Sequence, residues 1–140
     1  MHIINRFSFL CVYQTYQRLS LNLANEMAVF LIGRGTWYSD MKSFLESLGE
    51  AEARLDAVIR VMVMLANYEK DFDHSITLLS ENCFPTYATD RSYLMSLWNE
   101  AVQGRAGAIT DREKHNARMQ NPVPRNIGCN KGSKYCLNYW

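Results

Sequence analysis

A chain of 140 residues has room for one domain and little more. With 48% apolar residues it can bury a core, and with 21% charged residues and a formal net charge of +1 it is no polyelectrolyte tail. No run approaches the roughly 20 apolar residues that a bilayer crossing needs, and three prolines with seven glycines favour helices on short connections over a many-turned sandwich.

From Leu21 onward the apolar spacing is helical: Leu21, Ala24, Met27, Ala28, Leu31 and Ile32 follow i, i+3, i+4, i+7 steps. Gly33-Arg-Gly35 closes this first helix, because glycine tolerates the left-handed conformation that ends helices. Val29 and Phe30 stand off its main line. The helix therefore either offers a second face to a partner's groove or is covered by residues 1–20 folding back, and periodicity leaves both open. A second helix is predicted from near Ser39 to Gly49, carrying Met41, Phe44, Leu45 and Leu48 inward, and the short gap implies an antiparallel pair.

The third helix is predicted over Glu50–Asn67, with Glu50 and Glu52 at the positive end of its dipole and Val58–Ala66 apolar nearly all round. Such a helix must be covered on several sides, which puts it at the centre of the fold. Asp71 or Asp73 is expected to cap a fourth helix carrying Phe72, Ile76, Leu78 and Leu79, broken by Phe84-Pro85. Thr89 or Asp90 caps a fifth, with Tyr93, Leu94, Leu97, Trp98 and Val102 on one side and Gly104 and Gly107 at its end. Thr110-Asp-Arg-Glu113 is a capping box opening a sixth helix to about Gln120, which Pro122-Val-Pro124 stops. The expected fold is all-α, a single domain of about six antiparallel helices. Its segments are an extension over 1–20, a helical body over 21–127 and a basic tail over 128–140. The packing is helical-repeat-like, although Trp, Gly and Pro recur at no fixed period.

Chemistry-bearing residues are sparse. Cys11, Cys83, Cys129 and Cys136 form no C-x-x-C pair, and Cys129 and Cys136 are not at a zinc-ribbon spacing. His2, His74 and His115 have no Ser or Cys at a motif spacing. Asp71-x-Asp73 lacks the oxygen ligands of a calcium loop, and Gly33-Arg-Gly35 lacks the lysine of a phosphate loop. The expectation is a protein that is not an enzyme and needs no cofactor or metal. An enzyme using Cys129 or Cys136 with His115 is the residual alternative. Charge is asymmetric: residues 1–104 hold eight Lys/Arg against twelve Asp/Glu, whereas 105–140 hold seven against two. That end either binds phosphates weakly, through Arg112, Arg118, Arg125, Lys131 and Lys134, or is a solvated terminus.

Several segments, in order, resemble the SIX domain of the sine oculis homeobox family. Phe44-Leu-Glu-Ser-Leu48 is similar to the family's F-L-x-S-L-P, with Gly49 in the proline position. Val58-Ile-Arg leads through Ala66 to Asp71-Phe72 as in V-L-K…A…N-F, and Leu78-Leu79 with Phe84-Pro85 follow as in I-L-E-S…F-S-P. Leu97-Trp98 and Ala106-Gly-Ala-Ile109 resemble L-W and L-G-A-V. Pro122-Val-Pro-Arg-Asn-Ile127, then Tyr135-Cys136, resembles P-L-P-R-T-I…Y-C-F, which joins that domain to the homeodomain. The likeness covers about residues 21–137. The chain departs from the family by a shorter segment between Trp98 and Pro122, by Gly128-Cys-Asn-Lys-Gly132 where the family has W-D-G-E, and by the absence of a W-F-x-N recognition helix.

The resemblance implies a nuclear protein-interaction domain in transcription regulation. It would recruit an Eyes-absent-type coactivator through its first helix, and a Groucho-type corepressor, while supporting DNA binding by an adjoining homeodomain. Carried onto this chain, the coactivator-binding positions are Ala24, Met27, Ala28, Leu31 and Ile32. The alternative function is DNA binding through phosphate contacts from the basic C-terminal segment.

Overall fold

The computed structural model describes residues 6–34, 38–82, 84 and 88–127, with side chains described from residue 20 in the first helix and from residue 91 in the fifth. Six α-helices lie among these residues: α1 (Arg6–Arg34), α2 (Tyr38–Glu46), α3 (Asp56–Tyr68), α4 (Phe72–Glu81), α5 (Ala88–Arg105) and α6 (Asp111–Gln120). No strand occurs among the described residues; Phe84 and Ile127 meet in one isolated parallel bridge. The all-α expectation is met. Contacts divide the chain into two units, Met1–Val61 and Met62–Trp140, the line falling inside α3.

In the first unit α1 is far longer than its periodicity indicates. It runs unbroken from Arg6, so residues 6–20 continue the helix and do not fold back over it. Its 29 residues span about 43 Å. A 3₁₀ turn at Glu52–Arg54 packs on α1, and the Ser20 hydroxyl donates to Glu52 Oε1 at 2.6 Å. This contact accompanies the late start of α3. Glu50–Asn67 reads as a single helix, yet Leu55 is extended (ψ 138°) and α3 begins only at Asp56. Residues 50–55 are all strong helix formers, yet propensity is worth only tenths of a kcal/mol per residue, and a tertiary tie on Glu52 can outweigh it. Arg34 reaches Asp40 across the α1–α2 connection at 3.5 Å, and Arg60 lies 3.1 Å from Asp56 one turn behind it. Met41, Val58 and Val61 are buried.

The second unit is built on α5, against which both α4 and α6 pack. Val63, Leu79, Phe84, Leu94, Ala101 and Val102 are fully buried here. The polar groups buried with them are tied to main chain. Ser75 Oγ donates to the Val63 carbonyl at 3.4 Å, and Asn67 Nδ2 to the Leu97 carbonyl at 3.2 Å. Asn126 Nδ2 donates to the Leu79 carbonyl at 2.8 Å and also to that of Asn82, fixing the Pro122–Ile127 strip to the end of α4. Trp98 Nε1 donates to the Asn121 carbonyl at 2.9 Å, tying α5 to the end of α6.

The helix ends reveal the local chemistry. Thr110 forms the expected capping box, its Oγ1 accepting from the Glu113 amide at 3.1 Å while the Glu113 carboxylate accepts from the Thr110 amide at 3.4 Å. Asp71 holds the cap position of α4, but its side chain makes no cap hydrogen bond. Thr89 and Asp90 fall inside α5, which starts at Ala88. Two helices close with the same pair of hydrogen bonds. At α5 the Ala108 amide donates to the Gln103 carbonyl and the Gly107 amide to Gly104, with Gly107 at φ 64°. At α3 the Asp71 amide donates to the Ala66 carbonyl and the Lys70 amide to Asn67, with Lys70 at φ 63°.

Candidate functional site

An α-helix turns about 100° per residue, so the residues of α1 separate into two faces. Ala24, Ala28 and Leu31 fall within one arc, and all three are buried, Leu31 to 3% exposure. The alanines are small enough to admit close packing against this arc. Ile32 is half-buried at its edge. The neighbouring arc, about 100° round the axis, carries Leu23, Met27 and Phe30 at i, i+4, i+7 steps, exposed by 62%, 41% and 56%. Val29 lies further round and is also exposed, and Arg34 ends the stripe with its guanidinium 5.9 Å from the Phe30 ring centre.

Burial divides the partner-binding positions that the resemblance implies. Of Ala24, Met27, Ala28, Leu31 and Ile32, only Met27 lies on the open face; Ala24, Ala28 and Leu31 belong to the core. Periodicity identifies an apolar arc but not which of two arcs faces inward, and the helix is apolar on both. The signal for the open face was Val29 and Phe30 standing off the main line. Leu23, which completes the stripe, was missed.

The basic residues do not converge. Arg112 is exposed and Arg118 half-buried on α6, six residues apart and hence about 120° apart around its axis. Arg125 is exposed in the strip after α6. Lys131 and Lys134 lie outside the described residues, as do His2, Cys83, Cys129 and Cys136. Arg105 is engaged, donating to Asn121 Oδ1 at 2.9 Å and lying 3.9 Å from Asp73. His74 and His115 are exposed, and among the described residues no three His, Cys, Asp or Glu side chains gather as metal ligands. No described helix is long and apolar enough to cross a membrane.

No protein-family model, curated protein or solved structure matches this chain.

Proposed function

We propose that this chain is a non-enzymatic interaction domain of a nuclear transcription regulator that resembles the SIX domain and engages an Eyes-absent-type coactivator through α1. The observation that carries the reading is the exposed Leu23–Met27–Phe30 stripe. An amphipathic helix docks into a groove through a few apolar anchors at this spacing. Full burial from full exposure is worth about 1.5–3 kcal/mol for a Leu or Phe, and Leu23 and Phe30 are already partly covered, so these anchors set the face used and contribute part of the affinity. The face used is the outer arc, because Leu31 and the two alanines are committed to the interior.

Calorimetric titration of the chain with the conserved domain of an Eyes-absent coactivator tests this. A Kd of micromolar or tighter is expected, about −8 kcal/mol or more favourable. Phe30→Glu should abolish the heat and leave the circular dichroism unchanged, because the ring faces solvent. Leu31→Glu should lose helix content along with binding. No heat from the folded chain, or undiminished binding by Phe30→Glu, would overturn the reading.

A further inference from the structure

We propose that the groove floored by α5 in the unit Met62–Trp140 is a docking channel for an extended, acidic segment of a partner protein. The groove, about 870 Å³, is bounded by the end of α3, the turn into α4, α5 and the start of α6. It is independent of the α1 surface and stands whether or not that reading holds.

The floor supplies the first argument. Ser92, Ser96, Asn99 and Gln103 line the groove at i, i+4, i+7, i+11 steps and so form one row along α5. Eleven residues of helix rise about 16 Å, the length of roughly five residues of extended chain. Hydroxyls and amides both donate and accept, and an extended peptide presents alternating N–H and C=O groups that such a row can meet. Below them Asn67 is 95% buried, and its Oδ1 has no hydrogen-bond donor among the described residues. That oxygen is itself shut off from solvent, so the row of hydroxyls and amides on α5 is what an occupant meets.

Charge selects the occupant. Lys70 enters from the turn before α4 and Lys114 from α6, the two helices that pack on α5, and neither has an ion-pair partner among the described residues. Glu100 is the single carboxylate in the lining. Two ammonium groups against one carboxylate favour an acidic ligand. Glu100 stands against a continuous phosphate track, whereas a peptide with acids at alternate residues can turn a main-chain N–H toward it. The chain's own residues 128–140 contain Lys131 and Lys134 and no acid, so they do not suit the groove.

Lys70 carries the strongest indication. The chain ends α5 with glycine at φ 64° and ends α3 by the same hydrogen bonds with lysine at φ 63°. A side chain in that conformation costs about 1 kcal/mol relative to glycine. Backbone geometry alone would place glycine at both ends. Lysine at the second places an ammonium group at the groove.

The probe is an end-capped hexapeptide of alternating Glu and Ala, titrated into the isotope-labelled chain by amide NMR, with the Lys-Ala hexapeptide and hexathymidylate in parallel. The Glu-Ala peptide should shift the amides of Ser92, Ser96, Asn99 and Gln103, and the Lys-Ala peptide should not. Lys70→Gly and Lys114→Gln should each weaken binding at least threefold, Lys70→Gly without lowering the unfolding midpoint. No shift along the groove, an equal response to the Lys-Ala peptide, or unchanged affinity in both variants would overturn the proposal. So would tighter binding of hexathymidylate at the same amides, which would identify a nucleic-acid groove.

Discussion

At Gly104 the absence of a side chain lets two elements meet. A methyl group there would overlap the Phe72 ring, which lies against α5 at this point. Glycine inside a helix sacrifices about 1 kcal/mol relative to alanine, so its presence here reflects the ring contact. Gly33, in the last turn of α1, would meet nothing within 4 Å. The same substitution should therefore act in opposite directions at the two sites. Gly104→Ala should destabilise by about 1–3 kcal/mol through overpacking, and Gly33→Ala should stabilise by about 0.5–1 kcal/mol. Urea unfolding of the two variants measures both; stabilisation by Gly104→Ala would show that Phe72 moves aside at no cost. A second single-residue effect is electrostatic. The Ser20 hydroxyl, with help from the backbone amides of Glu52 and Gly49, holds the Glu52 carboxyl below its ordinary value against a small opposing effect of burial. A lowered carboxyl favours the folded state above the unfolded pKa of about 4.5, and that contribution fades as the pH falls through the lower folded value. Ser20→Ala should move the Glu52 carboxyl up toward the ordinary range and weaken this acid-side dependence, the backbone amides keeping part of it, which titration of the Glu52 side-chain carbon by NMR reads directly.

Among the elements, legibility followed whether the deciding interactions are local. The capping box at Thr110 was visible because both partners lie within four residues, and α6 begins where it indicates. Of the two glycines expected at the end of α5, Gly107 closes it in the left-handed conformation, whereas Gly104 lies inside the helix. The start of α3 was not visible: nothing between Glu50 and Leu55 breaks a helix, and the interruption accompanies a hydroxyl thirty-two residues away. The upstream reach of α1 was hidden by its composition. Residues 6–20 mix aromatic, apolar and polar types without a clean stripe, so periodicity supports a helix only from Leu21 although the backbone continues from Arg6. The end of α3 was equally opaque. A lysine in the left-handed conformation has no sequence signature, and only the hydrogen bonds of the Lys70 turn reveal its equivalence to Gly107. As for the candidate site, the two-faced character of α1 was readable, but the choice of outer face was not, because Leu31 and Phe30 are equally apolar and only burial separates them.

For the whole molecule, the charge separation along the chain raises the question of whether its basic end binds DNA. Neutralising each phosphate on duplex DNA contributes about −0.9 to the slope of log K against log salt. Counting Arg112, Arg118, Arg125, Lys131 and Lys134 as simultaneous contacts gives a slope near −4.5. The geometry argues for less. Arg112 and Arg118 point about 120° apart on α6, so one duplex backbone cannot take both in the same docking, and Arg105 is drawn toward Asp73 and Asn121. The acidic excess of residues 1–104 adds a repulsive background over the same duplex. The expected slope is therefore no steeper than about −3, with binding that vanishes near physiological salt. Fluorescence anisotropy of a labelled duplex between 20 mM and 200 mM salt measures it, and neutralising Arg112 alone should flatten the slope by at most one contact. A slope near −4.5 in the parent chain that falls to about −2.7 in an Arg112→Gln, Arg118→Gln double variant would show that all five cations bind at once, and would favour phosphate binding over coactivator recruitment as the principal activity.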